Sequence, residues 1–518
     1  MPASHPFSET DLKQLRDRGI SAERAAGYLA TLAEGLPHAV LDRPCTRGDG
    51  ITVIDDGELA RLCGRGDEAA RSGRLTKFVP ASGAASRMFQ ALLAARSAAT
   101  DAAATVEDLR GRPEYPALRE FMARLERFAF YPDLEATLER NGKHLQPLRD
   151  AGRIREVLDC LLDAEGLGYA GLPKALIPFH RYPGDCRTPV AEHLVMARAY
   201  VRDRGGTARV HFTVSPEHRE AMERHVASVC RRYQDRDTRF NVTLSEQRPD
   251  TDTLAATLDN QPFREPDGGL SFRPGGHGAL LANLNDLGAD MVFIQNIDNI
   301  AVDSGAAIGC RKALAGLLAE LQTRAFDYLH RLRPEAGPSL LDEAFHFVRA
   351  TLSVSPPATV TRAPAAERVR FLRETLDRPF RVCGMVPSAG EPGGGPFWVR
   401  GSDGTCSLQI VESSQVDVAT PSQWKVFAAS THFNPVDLVC AVRSHSGASF
   451  DLTRFSDPRS AFVSIKSSEG RQLKALEHPG LWNGGMARWN TVFVELPPET
   501  FAPVKTVLDL LRPEHQGR

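Results

Sequence analysis

The 518-residue chain predicts an α/β fold, a mixed and largely parallel sheet with helices on both faces plus helical insertions. Three observations carry this expectation. From about residue 175 onward, short apolar runs alternate with helix-length stretches, the pattern of strands joined by crossover helices. Residues 89 to about 170 are dominated by Leu, Ala, Arg and Glu at three-and-four spacing, which reads as a helical insertion. Past Phe380 the composition shifts to short strands with Gly-rich turns.

In chain order, residues 1–75 read as a helical N-terminal extension, with Ser8 and Asp11 as a helix start ahead of Leu12 and Leu15. LTKFVPASGAASRMFQALLAA then places a strand around Phe78 and Val79, a loop of small residues and a helix. Within the helical insertion, Leu118, Phe121, Met122, Leu125 and Phe128 keep the helical period. A strand is expected over 175–179, a helix over 189–203, a strand over 208–214 and a helix from Pro216. Further strands are expected at 240–244 and 291–295, and residues 307–352 read as helical again. The SVSPPATVTRAPA stretch from Ser353 is a loop. Residues 376–511 read as β-rich, with GEPGGGPFW (390–398) as a Gly-rich turn and a last helix near Val507. There is no internal repeat, and the Ala-rich stretch near 91–105 is the nearest thing to low complexity.

Charge and composition argue against several functions, although a global sum leaves room for a local nucleic-acid or membrane patch. The 63 Lys+Arg and 65 Asp+Glu give a net charge of −2, which argues against the phosphate attraction of a nucleic-acid binder and against a polybasic membrane anchor. No apolar run approaches the ~20 residues of a membrane span, and the polar start lacks a signal-peptide core. The expectation is a soluble, cytoplasmic protein. Nine cysteines, odd in number and without a Cys-x-x-Cys pair, read as reduced thiols rather than a disulfide framework or zinc knuckle.

The most informative segment is PASGAASRM, 80–88. A loop of small residues (Ala81, Ser82, Gly83, Ala84, Ala85, Ser86) between strand and helix lets backbone N–H groups approach an anion, and Arg87, expected in the first helical turn, can reach a phosphate. It is neither a Walker A motif nor the three-glycine dinucleotide pattern. Three other stretches follow it. GLPKALIPFH places Lys174 before an apolar run; SFRPGGHGALLANL sets Gly276, His277 and Gly278 at the mouth of a helix; VFIQNIDNIAVD ends a strand with Asn296, Asp298 and Asn299. Singly these are a surface lysine, a turn with a capping histidine and a strand-end Asx turn. Together they describe a nucleoside-triphosphate site with a Mg²⁺ ligand at the carboxyl end of a strand.

On these motifs the chain resembles the UDP-sugar pyrophosphorylase group of nucleotidyltransferases, and it is more closely similar to the bacterial family known as domain of unknown function 4301. The resemblance implies a glycosyltransferase-A-like (Rossmann-like) fold and transfer of a nucleotidyl group from a nucleoside triphosphate, most readily UTP, to a sugar 1-phosphate with release of pyrophosphate. It implies that residues 81–86 wrap the nucleotide phosphates, that Arg87, Lys174 and Lys505 hold phosphate charge, that Gly276–Gly278 contact the base and that Asp298 binds Mg²⁺. Lys505 comes from FAPVKTVLDLL, the most specific match. On the sugar-phosphate side it implies Glu412 in SLQIVESSQ, Asn434 in THFNPVD, and Lys466 and Glu477 in FVSIKSSEGRQLKALEHPG. By the same resemblance, length alone, which at roughly 150 residues each gives about three domains, yields to one discontinuous catalytic domain over 76–511.

The sequence departs from that group in places. The interval from Gly83 to Lys174 is much longer, so an insertion must leave and rejoin the core there, and the loop lacks a double glycine. WNGGMARWNT (482–491) and EPGGGPFW have no counterpart; Trp482, Asn483, Trp489 and Asn490 read as buried packing or as an acceptor pocket. Two other readings stay open. A glycosyltransferase on the same fold predicts Asp-x-Asp at the strand end, where Asn-Ile-Asp-Asn stands instead. A nucleotide- or sugar-phosphate-binding regulator without turnover would tolerate the glycine-poor loop.

Overall fold

The computed structural model describes residues 6–99, 101, 104–302, 305–388, 390, 393–468 and 470–517. Parts of the N-terminal extension (1–5), of the Ala-rich stretch and of EPGGGPFW therefore lie outside the described residues. A ten-stranded mixed sheet is the framework. Its order is Thr46–Arg47, Gly50–Thr52, Asn490–Glu495, Phe380–Pro387, Asp437–Ala441, Met291–Gln295, Leu75–Pro80, Thr207–Val214 and Arg239–Glu246, with His432–Phe433 also pairing on Phe380–Pro387. Leu75–Pro80 runs parallel to Thr207–Val214, and Phe380–Pro387 runs parallel to Asn490–Glu495 but antiparallel to Asp437–Ala441. The expected mixed α/β sheet is thus present. No helix among the described residues is long and apolar enough to cross a membrane.

The chain divides into two compact units: Met1–Thr76 with Ser245–Ile294 and Lys312–Pro497, and Lys77–Leu244 with Gln295–Arg311 and Pro498–Arg518. In the first, helices Glu9–Asp17 and Ala22–Glu34 bury Leu15, Leu29 and Leu32, with Ile20 from the connection between them, in one core with Leu254, Leu270 and Leu476. The expected helix start is a reciprocal cap, the Ser8 hydroxyl accepting from Asp11 N–H while the Asp11 carboxylate accepts from Ser8 N–H. The remainder of the N-terminal 75 residues is not helical throughout. Strands Leu41–Pro44, Thr46–Arg47 and Gly50–Thr52 precede the helix Asp56–Arg71. Gly50–Thr52 pairs with Asn490–Glu495, a partner far away in sequence that no local periodicity can announce.

In the second unit, helices within 90–162 form their own core, as the three-and-four spacing predicts. Phe121, Phe128 and Phe130 cluster with centroids 5.0–6.5 Å apart, Phe128 stacked on Phe130 and Phe121 tilted against both, and Phe130 meets Tyr169 edge-on at 5.8 Å. Val504, Val507 and Leu510 complete this core from the C-terminal segment. The strand expected over 175–179 is absent. Lys174–Leu176 is a single 3₁₀ turn, and strand His180–Tyr182 begins only after it. Pro178 has no N–H to give a ladder, and the buried Ile177 and Phe179 join the helical core instead. The strands expected over 208–214 and 240–244 are present as Thr207–Val214 and Arg239–Glu246, the helix expected over 189–203 ends at Tyr200, and the hairpin His180–Tyr182/Asp185–Arg187 is not expected from the pattern. The last helix near Val507 is the 3₁₀ segment Val507–Leu511.

Candidate functional site

The loop after Leu75–Pro80 is tied down by three backbone hydrogen bonds. Ala81 N–H donates to Thr213 O (2.9 Å), Ala85 N–H to Leu172 O (3.1 Å) and Lys174 N–H to Gly83 O (2.9 Å). The insertion therefore leaves and returns at adjacent backbone positions, Ala84 bridging Pro173. This anchoring delays the helix. It starts at Gln90, so Arg87 lies in the turn before it rather than in its first turn. Among the described residues, the N–H groups of Ser82, Gly83, Ala84, Ser86 and Arg87 have no acceptor, and all five residues are exposed. Ala81 and Ala85 are buried and pin the loop. No residue of the loop has a positive φ, which explains how Ala and Ser take the place of a double glycine without strain. A row of free N–H groups is the backbone chemistry of an anion cradle.

Lys174 is 8% exposed, and its ammonium has two partners: Asp298 Oδ2 at 2.6 Å and Val504 O at 2.7 Å. Val504 N–H in turn donates to Asp298 O (3.0 Å), and Ala502 N–H to Asn299 O (3.3 Å). Four segments far apart in sequence thus meet at Lys174, Gly83 on its backbone N–H and Asp298 and Val504 on its ammonium. Asp298 sits in the turn after Met291–Gln295, and its carboxylate has no other partner among the described residues. Lys505 follows Val504 directly. Its N–H and that of Thr506 donate to Asp509 Oδ2 at 2.8 and 2.7 Å, a cap that fixes the backbone while the Lys505 side chain stays exposed and without an ion-pair partner among the described residues. Lys174 is accordingly an internal cross-link, whereas the exposed Lys505 and Arg87 side chains have no ion-pair partner among the described residues.

In the other unit, His277, Glu412, Lys466 and Glu477 come together. The His277 ring stacks on Trp482 with centroids 4.3 Å apart and accepts at Nδ1 from Leu481 N–H (3.2 Å). Its Nε2 stands 4.0 Å from Glu412 Oε1. Burial pushes the imidazole down to about 4, opposed in part by the Glu477 carboxylate, and burial likewise raises Glu412. Lys466 bonds Glu477 at 2.8 Å across the hairpin Phe462–Ser468/Arg471–Glu477. Gly276 has φ 70°, and a Cβ there would meet Glu477 Oε2 at 2.7 Å; a Cβ at Gly278 would stand 2.3 Å from Pro479 O. The glycines of PGGHG therefore serve close packing against residues 477–480.

Asn434 is buried, and its Oδ1 accepts from Val436 N–H (3.2 Å) beside a positive φ of 56° at Val436, a local Asx turn. Sequence reasoning missed the role of Trp482 as the floor under His277. Asn483, Trp489 and Asn490 are buried, Asn483 bonded to Ile410 O and Asn490 to Thr375 O. It also missed Arg381, fully buried, which donates to Trp482 O (2.6 Å) and Thr491 Oγ1 (2.8 Å).

Among the described residues no group of three or more His, Cys, Asp or Glu side chains gathers to hold a metal. The donor set at Asp298 is a single carboxylate. That suits Mg²⁺, which keeps waters and substrate phosphates as its other ligands, and does not suit an ion needing an all-protein cage.

The uridine diphosphate N-acetylglucosamine pyrophosphorylase from Trypanosoma brucei, solved with an inhibitor, matches with TM-score 0.50 at 13% identity, over 98% of this chain and 79% of that one. A UDP-glucose pyrophosphorylase mutant from Leishmania major, in complex with UDP-glucose, matches with TM-score 0.44 at 13% identity over 98% and 79%. A UDP-glucose phosphorylase from Trypanosoma brucei gives 0.43 at 12% over 97% and 77%. At these identities the first likeness speaks to the fold alone. No curated protein matches the chain. The family described as domain of unknown function (DUF4301) matches residues 8–516, and the chain belongs to that family.

Proposed function

We propose that this protein is a nucleotidyltransferase that moves a nucleotidyl group from a nucleoside triphosphate to a sugar 1-phosphate and releases pyrophosphate. The observation that carries the proposal is the meeting of the Gly83 loop, Lys174, Asp298 and Val504–Lys505 in one unit. The likeness in fold to the pyrophosphorylase from Trypanosoma brucei supports the same reading.

In this reaction a phosphate oxygen of the sugar phosphate bonds to the α-phosphorus as the bond to the bridging oxygen of pyrophosphate breaks. Both reactants are anionic, so the task is to hold them in line and offset charge, with no general base. The free N–H groups of residues 82–84, 86 and 87 would bind phosphate oxygens, and Arg87 and Lys505 would add positive charge. Lys174 would hold Asp298 at a fixed place against Val504. Asp298 would hold Mg²⁺, which when bound supplies positive charge shared among phosphate oxygens. In the other unit, described by itself, the His277 ring on Trp482 beside Glu412, and the Lys466–Glu477 pair, offer the chemistry of base stacking and of bonding to sugar hydroxyls. Asn434 would shape its loop without touching substrate.

The test is purified protein with Mg²⁺ and a panel of nucleoside triphosphates and sugar 1-phosphates, with pyrophosphate as the readout. The parent should release pyrophosphate with at least one pair, and Asp298→Asn or Lys505→Ala should cut the rate at least ~100-fold, the scale of one lost transition-state charge contact. Nucleotide binding without release from any pair would sink the catalytic reading in favour of a binding regulator.

A further inference from the structure

The segment from Ala502 to Gly517 is stitched to several places in its own unit. Besides the bonds at Asn299 and Asp298, Val507 N–H donates to Met88 O (3.0 Å), Val302 N–H to Glu514 O (2.8 Å) and Gly517 N–H to Arg181 O (2.6 Å). Gln516 Nε2 donates to Leu510 O (2.8 Å), and Gln516 bridges Arg181. Within this segment His515 is fully buried and faces the fully buried His180. Their Nδ1 atoms are 3.3 Å apart and their ring centroids 5.0 Å apart, with Phe179 packed edge-on against both rings.

Two facing Nδ1 atoms bond when one ring donates its N–H to the lone pair of the other, which requires the accepting ring to be neutral. Burial favours the neutral form of both: it lowers His180 well below the usual histidine range and His515 to about 4. His515 is far from free to approach a substrate. It lies instead on the segment that also carries the Val504 carbonyl bonded to Lys174 and the exposed Lys505.

We infer that the His180–His515 pair is a latch, and that His515 is a positioning residue that keeps the 502–507 backbone in register with Asp298 and Lys174. The latch itself rests on the contacts above; its effect on turnover rests on the nucleotidyltransferase reading. Nothing in the PEH turn Pro513–His515 marks this role in the sequence, because the partner histidine lies in the hairpin His180–Tyr182/Asp185–Arg187.

Three full-length variants test it: His515→Leu, which fills the space without a hydrogen bond, His180→Gln, which disturbs the facing geometry, and His515→Asn, whose amide can replace Nδ1. Hydrogen exchange at 502–507 should speed up about tenfold in His515→Leu and His180→Gln and return to parental rates in His515→Asn, the scale of one buried hydrogen bond. Exchange in the helix Tyr115–Ala123 should stay unchanged and serves as the check on folding. In pyrophosphate release, kcat should fall about tenfold in His515→Leu with KM for the nucleotide within about twofold, and recover in His515→Asn. If His515→Leu does not fold, His180→Gln decides with the same expectations. Parental exchange at 502–507 in a folded His515→Leu or His180→Gln, or no recovery in His515→Asn, overturns the latch. If the parent releases no pyrophosphate from any pair, the enzymatic reading fails and the exchange experiment alone decides the latch.

Discussion

Lys174 Nζ lies 2.6 Å from Asp298 Oδ2, and both side chains are largely shielded from water, at 11% and 15% exposure. Such a pair is costly to break from one side, because the remaining charge keeps its desolvation without its partner. Lys174→Met and Asp298→Asn should each lower the unfolding free energy by about 2–4 kcal/mol, while the double variant loses clearly less than the sum. Urea unfolding of the four proteins measures the coupling; strict additivity would show that the contact contributes nothing.

Asp509 accepts from the N–H groups of both Lys505 and Thr506, and from the Thr506 hydroxyl at 3.2 Å. Asp509→Ala should therefore cost about 1–2 kcal/mol, the range of a lost cap. Asp509→Asn, which keeps one acceptor oxygen, should lose less than half of that in the same thermal or urea experiment.

Protonation should destabilise the fold in mildly acidic solution. Burial places His211, His277 and His515 at about 4 in the folded chain, and His180 and His193 well below the usual range. Each is a base whose folded pKa lies below its unfolded value near ~6.5. The unfolded chain then binds more protons as pH falls, so stability is full above about pH 6.5 and declines toward pH 4. Melting temperatures between pH 7.5 and 4.5 should show that decline, and His515→Asn should flatten part of it; a constant melting temperature would contradict the buried, neutral state.

A methyl group at Gly278 would press on the Pro479 carbonyl at 2.3 Å. Gly278→Ala should cost about 2 kcal/mol or more by overpacking and should shift the fluorescence of Trp482, whose ring rests on His277. Unchanged stability and emission would mean the two loops separate more readily than their contacts imply.

Local chemistry made much of this structure readable. Ser8 and Asp11 announced their cap because the signal lies within one turn, and Met291–Gln295 is a buried strand written as a continuous apolar run. PASGAASRM and FAPVKTVLDLL could be recognised as motifs, but not that Lys174 would bond the backbone between Asp298 and Lys505. The failures share a cause. Gly50–Thr52 is a strand because of Asn490–Glu495, Arg87 falls outside its helix because Leu172 and Lys174 hold the loop, and residues 175–179 turn because of Pro178 and a core built by the insertion. In each case a distant partner overrides the local pattern.

The Lys174 ammonium also sets an order of events during synthesis. Residue 174 and Asp298 emerge from the ribosome long before Val504, and domains tend to fold as they emerge. An early Lys174–Asp298 pair would wait in the nascent chain with one of its acceptors missing, and Val504, Val507 and Leu510 would still be absent from the core around Phe130. The anion loop can take shape before this segment is made, but the bond from the ammonium to the Val504 carbonyl cannot. Ribosomes stalled before and after Val504 should therefore carry nascent chains that differ in protease sensitivity around Lys174, with the site maturing only once Val504 has been made.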